Sequence, residues 1–276
     1  MNKKKKKTIK HVRQKSEQLK IAIPKNNSVL NIVIPMAGKG FRFMEAGYTF
    51  PKPLIGIKDK TMIEVVISNL KSIHNHRFIF IAQKEHCQKY DIYNVLKRAT
   101  NDKFELIQIS GITEGAACTV LLASNYINND DDLLIANSDQ YIDIKIDDFI
   151  NKSRDSKSDG VIMTFKSSHP KWSYARADES GKVSETAEKK VISNSATVGI
   201  YYFKKGSDFV SGAQSMIHKN IRHNNEFYVC PVFNELIITG KNIFTHDIGA
   251  ESMHGLGTPE DLNLFMQKLD NGQIKI

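Results

Sequence analysis

The stretch Asn31–Leu54, NIVIPMAGKGFRFMEAGYTFPKPL, sets the expectation for the whole chain. It opens on an apolar, β-branched segment of the kind that forms a buried strand. It then breaks at Gly38 and Gly40 and ends on Pro-Lys-Pro. Glycines after a strand let backbone N–H groups approach an anion closely. Because Arg42 and Lys52 add two cations beside this loop, the stretch predicts a site for the phosphates of a nucleotide rather than a plain basic surface loop.

Strand-like and helix-like segments alternate downstream of this stretch. Apolar runs such as RFIFIAQ (77–83), FELIQIS (104–110) and GVIMTFKS (160–167) have the composition of buried strands. Between them, segments such as TMIEVVISNLKSI (61–73) place apolar residues at helical spacing. This alternation predicts an α/β fold with three layers, a Rossmann-like αβα arrangement around a mixed, mostly parallel central sheet.

Polar loops follow two of the predicted strands. MAGKG (36–40) comes after the first strand, and NSDQ (137–140) comes after the apolar run LLIA (133–136). Parallel α/β sheets bind their ligands beyond the carboxyl ends of the strands. We therefore expect both loops to border one crevice.

Three further segments each predict one helix. They are HCQKYDIYNVLKRAT (86–100), GAACTVLLASNYI (115–127) and SDFVSGAQSMIHKNI (207–221), the last capped by Ser207 or Asp208. The sequence contains no repeat and no linker. One domain with an inserted or appended mixed-sheet part therefore fits the chain better than two separate domains.

Composition limits the classes of function. Hydrophobic residues make up 41% of the 276 residues, enough for one large core or two smaller ones. No apolar run approaches the roughly 18–20 residues that span a bilayer, and no signal peptide precedes the first strand. Cys87, Cys118 and Cys230 lie far apart, without a CxxC motif or paired histidines. They predict a reducing, cytoplasmic location rather than disulfides or a zinc site.

The formal net charge of +9 belongs to the N-terminus. Residues 1–28 hold ten Lys or Arg and one Glu, whereas residues 29–276 hold 29 basic and 29 acidic residues. Five consecutive lysines have nothing apolar to bury, so residues 1–28 are predicted to be a basic, largely disordered extension. Such a tail can contact anionic lipid or RNA electrostatically, or can simply be solvated. The neutral remainder argues against a specific nucleic-acid-binding domain.

A longer pattern appears when the opening stretch is extended through PKPLIGIKDKTMIEVVISNL (51–70). Its order is strand, GxGxR[LF], short loop, PKPL and helix. This order resembles the signature of the sugar-phosphate nucleotidyltransferases, which make nucleoside diphosphate sugars. Further segments resemble the same family in the same order: TEGAACTVLLA (113–123), LLIANSDQYI (133–142), EKKVISNSATVGIYYF (188–203), NNEFYVCPVFNELI (224–237) and LGTPEDL (256–262).

The resemblance implies a GT-A-like fold and a role for each matching residue. Arg42 and Lys52 are the expected catalytic cations, and Asp139 is the expected ligand of Mg²⁺. The expected nucleotide-binding residues are Ala37, Gly38, Lys39, Gly40, Glu114, Gly115 and Ser138. The expected acceptor-binding residues are Glu188, Lys189, Asn194, Gly199 and Glu226.

The resemblance also implies a reaction. A single domain over residues 29–276, with a nucleotide half at about 29–150 and an acceptor half at about 151–276, would move a nucleotidyl group from an NTP to a phosphomonoester. The acceptor expected first is a sugar 1-phosphate, the expected base is a pyrimidine, and the closest branch is one associated with capsular and lipopolysaccharide synthesis. Because the nucleophile is already ionised, positioning and charge neutralisation suffice without a general base.

Two alternatives stay open at the level of sequence. One is a cytidylyltransferase that acts on phosphocholine, a phosphorylated amide or another small phosphorylated acceptor. The other is a nucleotide-binding module without turnover, tethered by the basic tail. A homo-oligomer is also expected.

The chain departs from the family where many members carry a second metal-binding aspartate. Gly255 stands at that position, and Asp247 and His254 are the nearby side chains that could replace the carboxylate. Since Mg²⁺ retains waters readily, we expect Asp139 to be its principal protein ligand. Trp172, in HPKWSYARAD, is expected in the core or at its rim rather than as a platform for a sugar.

Overall fold

A mixed sheet of nine strands forms the centre of the described chain. The computed structural model describes residues 28–155 and 157–276, so the extension predicted over 1–28 lies outside the described residues apart from Ser28. The strands are β1 (Leu30–Pro35), β2 (Gly56–Ile57), β3 (Lys60–Thr61), β4 (His76–Gln83), β5 (Phe104–Ile109), β6 (Leu133–Ala136), β7 (Gln140–Ile142), β8 (Gly160–Lys166), β9 (Tyr174–Ala177), β10 (Val183–Ala187), β11 (Ser195–Phe203), β12 (Ile243–Asp247) and β13 (Met253–Gly255).

Helices lie between the strands. They are α1 (Phe41–Glu45), α2 (Met62–Leu70), α3 (Lys84–Tyr90), α4 (Ile92–Thr100), α5 (Ala116–Leu121), α6 (Ser124–Ile127), α7 (Ile146–Asp155), α8 (Gly206–His218), α9 (Val232–Ile238) and α10 (Pro259–Asp270). Short 3₁₀ turns cover Lys52–Leu54 and Ala250–Ser252. Across the part of the chain described, no helix is both long and apolar enough to cross a membrane.

The N-terminal part of the sheet is parallel. Its strand order is β6-β1-β4-β5, and Ile32 of β1 aligns with Leu134 of β6 on one side and with Phe78 of β4 on the other. β11 runs antiparallel to β6, β8 and β9, and β12 joins parallel to β8. β2 with β3 and β13 with β7 form small separate ladders. The predicted mixed central sheet of a Rossmann-like fold is confirmed.

Alternate residues of the strands belong to two different apolar layers. Ile32, Ile34 and Phe80 belong to one buried cluster, whereas Val33 and Ile79 belong to the other. Successive side chains of a strand point to opposite faces, so each central strand contributes to both layers. Helices close both layers, which gives the three-layer arrangement.

A third buried cluster anchors the glycine loop. It brings Phe43 of α1 together with Ile57, Leu256 and Phe265 of α10. The short helix after MAGKG is therefore packed against the C-terminal part of the chain. This packing holds the segment that carries Arg42 close to the segment 255–257.

Three local predictions about helices are wrong. The segment 86–100 contains parts of two helices, α3 and α4, because Asp91 between them is left-handed, with φ 51°. The segment 115–127 likewise contains α5 and α6 rather than one helix. α8 begins after Lys205 without a side-chain cap, so neither Ser207 nor Asp208 caps it.

Candidate active site

A cleft of about 560 Å³ lies beyond the carboxyl ends of β1 and β6, where the loops MAGKG and NSDQ meet. The predicted site residues that line it are Ala37, Gly38, Arg42, Lys52, Gly115, Ser138, Asp139, Glu188, Lys189, Gly199 and Glu226. They come from segments that lie as much as 189 positions apart in the sequence, between Ala37 and Glu226. The parallel pairing of β1 with β6 places the two loops at one edge of the sheet, as the strand order requires.

The other four predicted residues lie outside the lining of the cleft. Gly40 is left-handed, with φ 66°, and a Cβ there would lie 3.3 Å from the Cβ of Lys52, so it lets the loop pack against that lysine. Lys39 lies over the ring of Phe41. Glu114 pairs with Arg222 at 2.5 Å. Asn194 contributes its carbonyl oxygen, which accepts a hydrogen bond from the N–H of Ser167 at 3.1 Å.

An ion pair joins the predicted catalytic lysine to the predicted metal ligand. Lys52 begins the 3₁₀ turn between Pro51 and Pro53, and its Nζ lies 2.8 Å from Oδ2 of Asp139. The two side chains are 20% and 24% exposed, so the pair is shielded but reachable from the cleft. Backbone contacts fix Asp139 as well, since its carbonyl oxygen accepts a hydrogen bond from the N–H of Leu256 at 2.8 Å.

Asp139 supplies the kind of oxygen donor that a hard cation prefers. Within residues 28–155 and 157–276, no group of three or more His, Cys, Asp or Glu side chains could hold a metal ion. A carboxylate oxygen is a donor that Mg²⁺ accepts readily, and phosphate oxygens and water can fill the other positions. A Cβ at Gly257 would lie 2.8 Å from Oδ2 of Asp139, so the glycine keeps one side of this carboxylate open.

The two candidate replacements for the second carboxylate do not line the cleft. Asp247 is exposed at the end of β12, where its Oδ2 lies 3.4 Å from Nζ of Lys166. His254 is buried against Tyr141, and burial lowers its pKa. The carboxylate near Gly255 belongs instead to Asp261, which lines the cleft and which sequence analysis missed.

The wall around Gly115 is formed by two segments that pair through their backbones. Phe227 donates its N–H to the carbonyl of Glu114 at 2.7 Å and accepts from the N–H of Ala117 at 3.0 Å. Gly115 has φ 126°, and a Cβ there would lie within 2.5 Å of the Phe227 backbone. A side chain therefore has no space at this position, which explains the glycine in TEGAAC.

Glu188, Lys189 and Tyr228 form a further polar part of the cleft lining. Glu188 is buried and accepts a hydrogen bond from Oγ of Ser173, and burial raises the pKa of its carboxyl group. Lys189 adopts a left-handed backbone, with φ 49°, and its Nζ donates to the hydroxyl of Tyr228 at 2.9 Å. Burial, together with the neighbouring Glu226, raises the pKa of Tyr228.

Several lining residues were missed or placed differently by sequence analysis. Ser173 contacts Glu188 and Tyr228 contacts Lys189. No motif marks Ser173, and Tyr228 lies in the segment 224–237 but was not predicted as a site residue. Trp172 is half-buried and packs edge-on against Phe165 with ring centroids 5.3 Å apart, so it lies at the rim of the core and also lines the cleft. Lys171 and Asp261 meet across 90 positions of sequence, a contact that local patterns do not encode.

A family model described as nucleotidyl transferase matches residues 32–228, more than half of the chain. The chain belongs to the nucleotidyl transferase family. Every predicted site residue lies within the matched range, and the sugar-phosphate nucleotidyltransferase resemblance of the sequence is confirmed.

A curated relative and solved structures agree with this family. The bifunctional protein GlmU of Methanococcus aeolicus is 27% identical over 177 residues, which are 63% of this chain and 40% of that protein. The match thus spans less than half the length of that relative. The nucleoside-diphosphate-sugar pyrophosphorylase of Vibrio cholerae is similar with a TM-score of 0.74 and 26% identity, over 86% of this chain and 99% of that chain.

A second solved structure extends the likeness of fold. It is a putative glucose-1-phosphate thymidylyltransferase of Bacillus anthracis, with a TM-score of 0.71 and 18% identity over 90% of this chain and 97% of that chain. At this identity the likeness concerns the fold alone. It matches the three-layer arrangement seen here.

Proposed function

We propose that this chain transfers a nucleotidyl group from an NTP to a sugar 1-phosphate, with Mg²⁺, and releases pyrophosphate. The observation that carries the proposal is one cleft lined by two chemically different sets of side chains. Arg42, Lys52 and Asp139 can neutralise anionic phosphates and hold a metal, and Glu188 and Lys189 add a second set of polar groups to the same cleft. Such an arrangement suits a reaction that joins two phosphorylated substrates.

The proposed step exchanges one phosphoanhydride bond for another. A non-bridging oxygen of the acceptor phosphate attacks the α-phosphorus of the NTP, and the bond from that phosphorus to the bridging oxygen of the β-phosphate breaks. Pyrophosphate leaves with the bonding electrons. The acceptor oxygen is already ionised at neutral pH, so no side chain has to remove a proton, and catalysis rests on alignment and charge stabilisation.

The cations of the cleft have separable tasks in this proposal. The planar guanidinium of Arg42 can donate two parallel hydrogen bonds to the departing pyrophosphate. Lys52 supplies a compact positive charge for the α-phosphate and has to leave Asp139 to do so. Mg²⁺, when held by Asp139, would add Lewis-acid stabilisation of the triphosphate.

Glu188, Lys189 and Tyr228 would orient the second substrate. Tyr228 fixes the side chain of Lys189 at 2.9 Å, which readies the ammonium for the acceptor phosphate. Glu188, held by Ser173, can accept hydrogen bonds from hydroxyl groups in a buried setting. A buried hydrogen-bond acceptor such as this carboxylate discriminates strongly against substrates that offer it no hydrogen-bond donor.

The finer assignments rest on the family and its relatives. The similar Vibrio cholerae protein is a nucleoside-diphosphate-sugar pyrophosphorylase, which supports a sugar phosphate as acceptor here. Use of the product in surface polysaccharide synthesis, a pyrimidine base, a cytoplasmic location and a homo-oligomer are part of the proposal. The three unpaired cysteines agree with a reducing compartment.

A substrate matrix tests the proposal. Each of the four NTPs is incubated with sugar 1-phosphates, phosphocholine and other phosphorylated small molecules, and pyrophosphate release is measured with and without Mg²⁺. We expect one NTP to react with a sugar 1-phosphate and Asp139→Asn to lose nearly all activity. Nucleotide binding without pyrophosphate release from any pair would contradict the proposal and favour a binding module without turnover.

A further inference from the structure

Three side chains in the lining of the cleft make a compact cluster that is not among the predicted site residues. The Nζ of Lys171 lies 4.6 Å from the ring centroid of Trp172 and 3.1 and 3.3 Å from the two carboxylate oxygens of Asp261. All three residues line the cleft. One ammonium group is thus held by an aromatic face and a carboxylate together.

The fold builds this cluster from two distant elements. Lys171 and Trp172 precede β9, and the next residue, Ser173, donates the hydrogen bond to Glu188. Asp261 lies in the first turn of α10, where its N–H donates to Oγ1 of Thr258 at 3.1 Å. Trp172 is therefore next in sequence to the residue that holds the buried carboxylate of Glu188.

Gly255 explains how the two elements come together. A Cβ at this position would lie 3.4 Å from Oδ2 of Asp261 and 3.6 Å from Cη2 of Trp172. The glycine therefore lets the aromatic ring and the carboxylate lie close to the backbone at this position. The ammonium of Lys171 contacts both of them.

We propose that Lys171 is a built-in occupant of a cation site formed by Trp172 and Asp261, and that it selects acceptors with a neutral, hydroxylated body over acceptors that carry an ammonium group. The inference rests on the proposed function and specifies its acceptor class. An aromatic face beside a carboxylate is a chemical setting that binds quaternary ammonium. Here that setting is already used by a side chain of the same protein.

Lys171 has the advantage over a free cationic acceptor in competing for the site formed by Trp172 and Asp261. A cationic acceptor would have to displace Lys171 from both the ring and the carboxylate, and an intramolecular group competes at a high effective concentration. A neutral polyol needs no such displacement. The ammonium of Lys171 has three N–H donors and Asp261 has free lone pairs, so hydroxyl groups can bind to the intact pair.

The variant Lys171→Met separates these alternatives. It removes the ammonium while keeping a long apolar side chain, and it leaves Trp172 and Asp261 without their cation. We expect phosphocholine and tetramethylammonium to bind this variant at least tenfold more tightly than they bind wild type. Glucose 1-phosphate should bind it several-fold more weakly, because a donor to the hydroxyl groups is lost.

Trp172 is the only tryptophan of the chain, so intrinsic fluorescence reports from the cluster itself. Fluorescence titrations with tetramethylammonium chloride, phosphocholine and glucose 1-phosphate are run on wild type and Lys171→Met, each with and without the NTP that supports pyrophosphate release. Lys166→Met is the matched control, since it breaks a Lys–Asp pair of 3.4 Å outside the cleft and removes the same charge. It should behave as wild type.

A second change tests the carboxylate. Adding Asp261→Asn to Lys171→Met should abolish the gain in tetramethylammonium binding, and thermal melting verifies that each variant is folded. If Lys171→Met binds tetramethylammonium no better than wild type does, or if wild type prefers phosphocholine to glucose 1-phosphate, the inference is wrong. Pyrophosphate release by wild type judges the proposed function separately, because the tetramethylammonium titration needs no turnover.

Discussion

At the scale of single residues, the cleft is organised by carboxylates that already have cationic partners. Lys52 neutralises Asp139 at 2.8 Å, and Lys171 neutralises Asp261 at 3.1 Å. In the proposed function, a metal ion or phosphate that binds at Asp139 or Lys52 has to separate this pair. The hydroxyl groups of a neutral acceptor, by contrast, would bind to the intact pair of Lys171 and Asp261.

The pair of Lys52 and Asp139 predicts an effect on metal binding that is opposite to its effect on catalysis. Lys52→Met should tighten Mg²⁺ binding to the nucleotide-free protein about two- to fivefold, since a partly shielded ion pair contributes about 0.5–1 kcal/mol. The same variant should lose about a hundredfold or more in turnover, because the charge at the α-phosphate is gone. Isothermal titration calorimetry and pyrophosphate release measure the two quantities.

Two aspartate variants serve as controls for this prediction. Asp139→Asn should abolish Mg²⁺ binding and activity, whereas Asp247→Asn, which alters an exposed pair outside the cleft, should change neither by much. Unchanged or weaker Mg²⁺ binding in Lys52→Met would show that the lysine does not compete for Asp139. Damage by Asp247→Asn equal to that by Asp139→Asn would show that the metal site lies elsewhere.

Glu188 predicts a dependence of stability on pH. Burial raises its pKa in the folded protein above the ordinary value of 4.5. The native state therefore binds the proton more tightly than the unfolded state, so this group's contribution to the free energy of unfolding falls as pH rises from about 4.5 through the raised value. Glu188→Gln keeps an acceptor for Ser173 Oγ and removes the ionisation.

Urea unfolding of wild type and Glu188→Gln at a series of pH values measures this contribution. The variant should gain stability relative to wild type as pH rises above about 4.5, and it should bind the acceptor more weakly at every pH. A difference in unfolding free energy that does not change with pH would mean that Glu188 ionises in the folded protein as it does in the unfolded chain.

At the scale of elements, glycines decide where segments can touch. The wall around Gly115 depends on direct backbone contact with Phe227, and its φ of 126° with ψ of 175° is accessible almost only to glycine. Gly115→Ala should cost about 2 kcal/mol or more in stability, from backbone strain together with displacement of the neighbouring segment. It should also weaken NTP binding, because Gly115 is one of the proposed nucleotide-binding residues.

Gly111→Ala is the matched control for this prediction. Gly111 also has a positive φ, 85°, but no atom lies within 4 Å of a Cβ built there. Thermal melting and NTP titration of both variants separate strain from contact. Equal losses in the two variants would show that the contact with Phe227 contributes nothing beyond the backbone conformation.

Some features of the elements could be predicted from the sequence, and others could not. Parallel strands have their carboxyl ends at one edge, so the meeting of MAGKG with NSDQ follows from the alternation of strands and helices alone. The break at Asp91 does not, because an aspartate in the left-handed region leaves no mark in apolar spacing. The caps at Ser207 and Asp208 failed because helix α8 already starts at Gly206, so both residues lie inside its first turn. Gly206 packs closely against Ile127.

At the scale of the whole molecule, short motifs mark some of the site residues, whereas other residues come together only in the folded chain. Arg42, Lys52 and Asp139 lie in short segments whose spacing carries the signal. Lys171 and Asp261 are 90 positions apart and meet only because α10 packs back toward β9. The proposed specificity for the acceptor therefore depends on tertiary placement, which local patterns do not report.

Charge is distributed unevenly over the whole chain, and this predicts that the basic N-terminal residues are not needed for catalysis. Residues 1–28 hold the entire excess of +9, and residues 29–276 are neutral. The proposed chemistry uses residues of the neutral part only. Deleting residues 1–25 should therefore leave pyrophosphate release nearly unchanged, and it should abolish binding to anionic vesicles or RNA that weakens as salt rises.

Co-sedimentation with phosphatidylserine vesicles at several salt concentrations, beside pyrophosphate release, measures both effects. A full-length variant with Lys3–Lys7 changed to glutamine is the matched control, since it keeps the length of the chain while removing five charges. It should lose most of any vesicle binding and keep its activity, because binding to an anionic surface depends on the number of lysines near it. A truncated protein that melts like wild type yet releases no pyrophosphate would show that the tail contributes to the active site, and the separation of charge from catalysis argued here would be wrong.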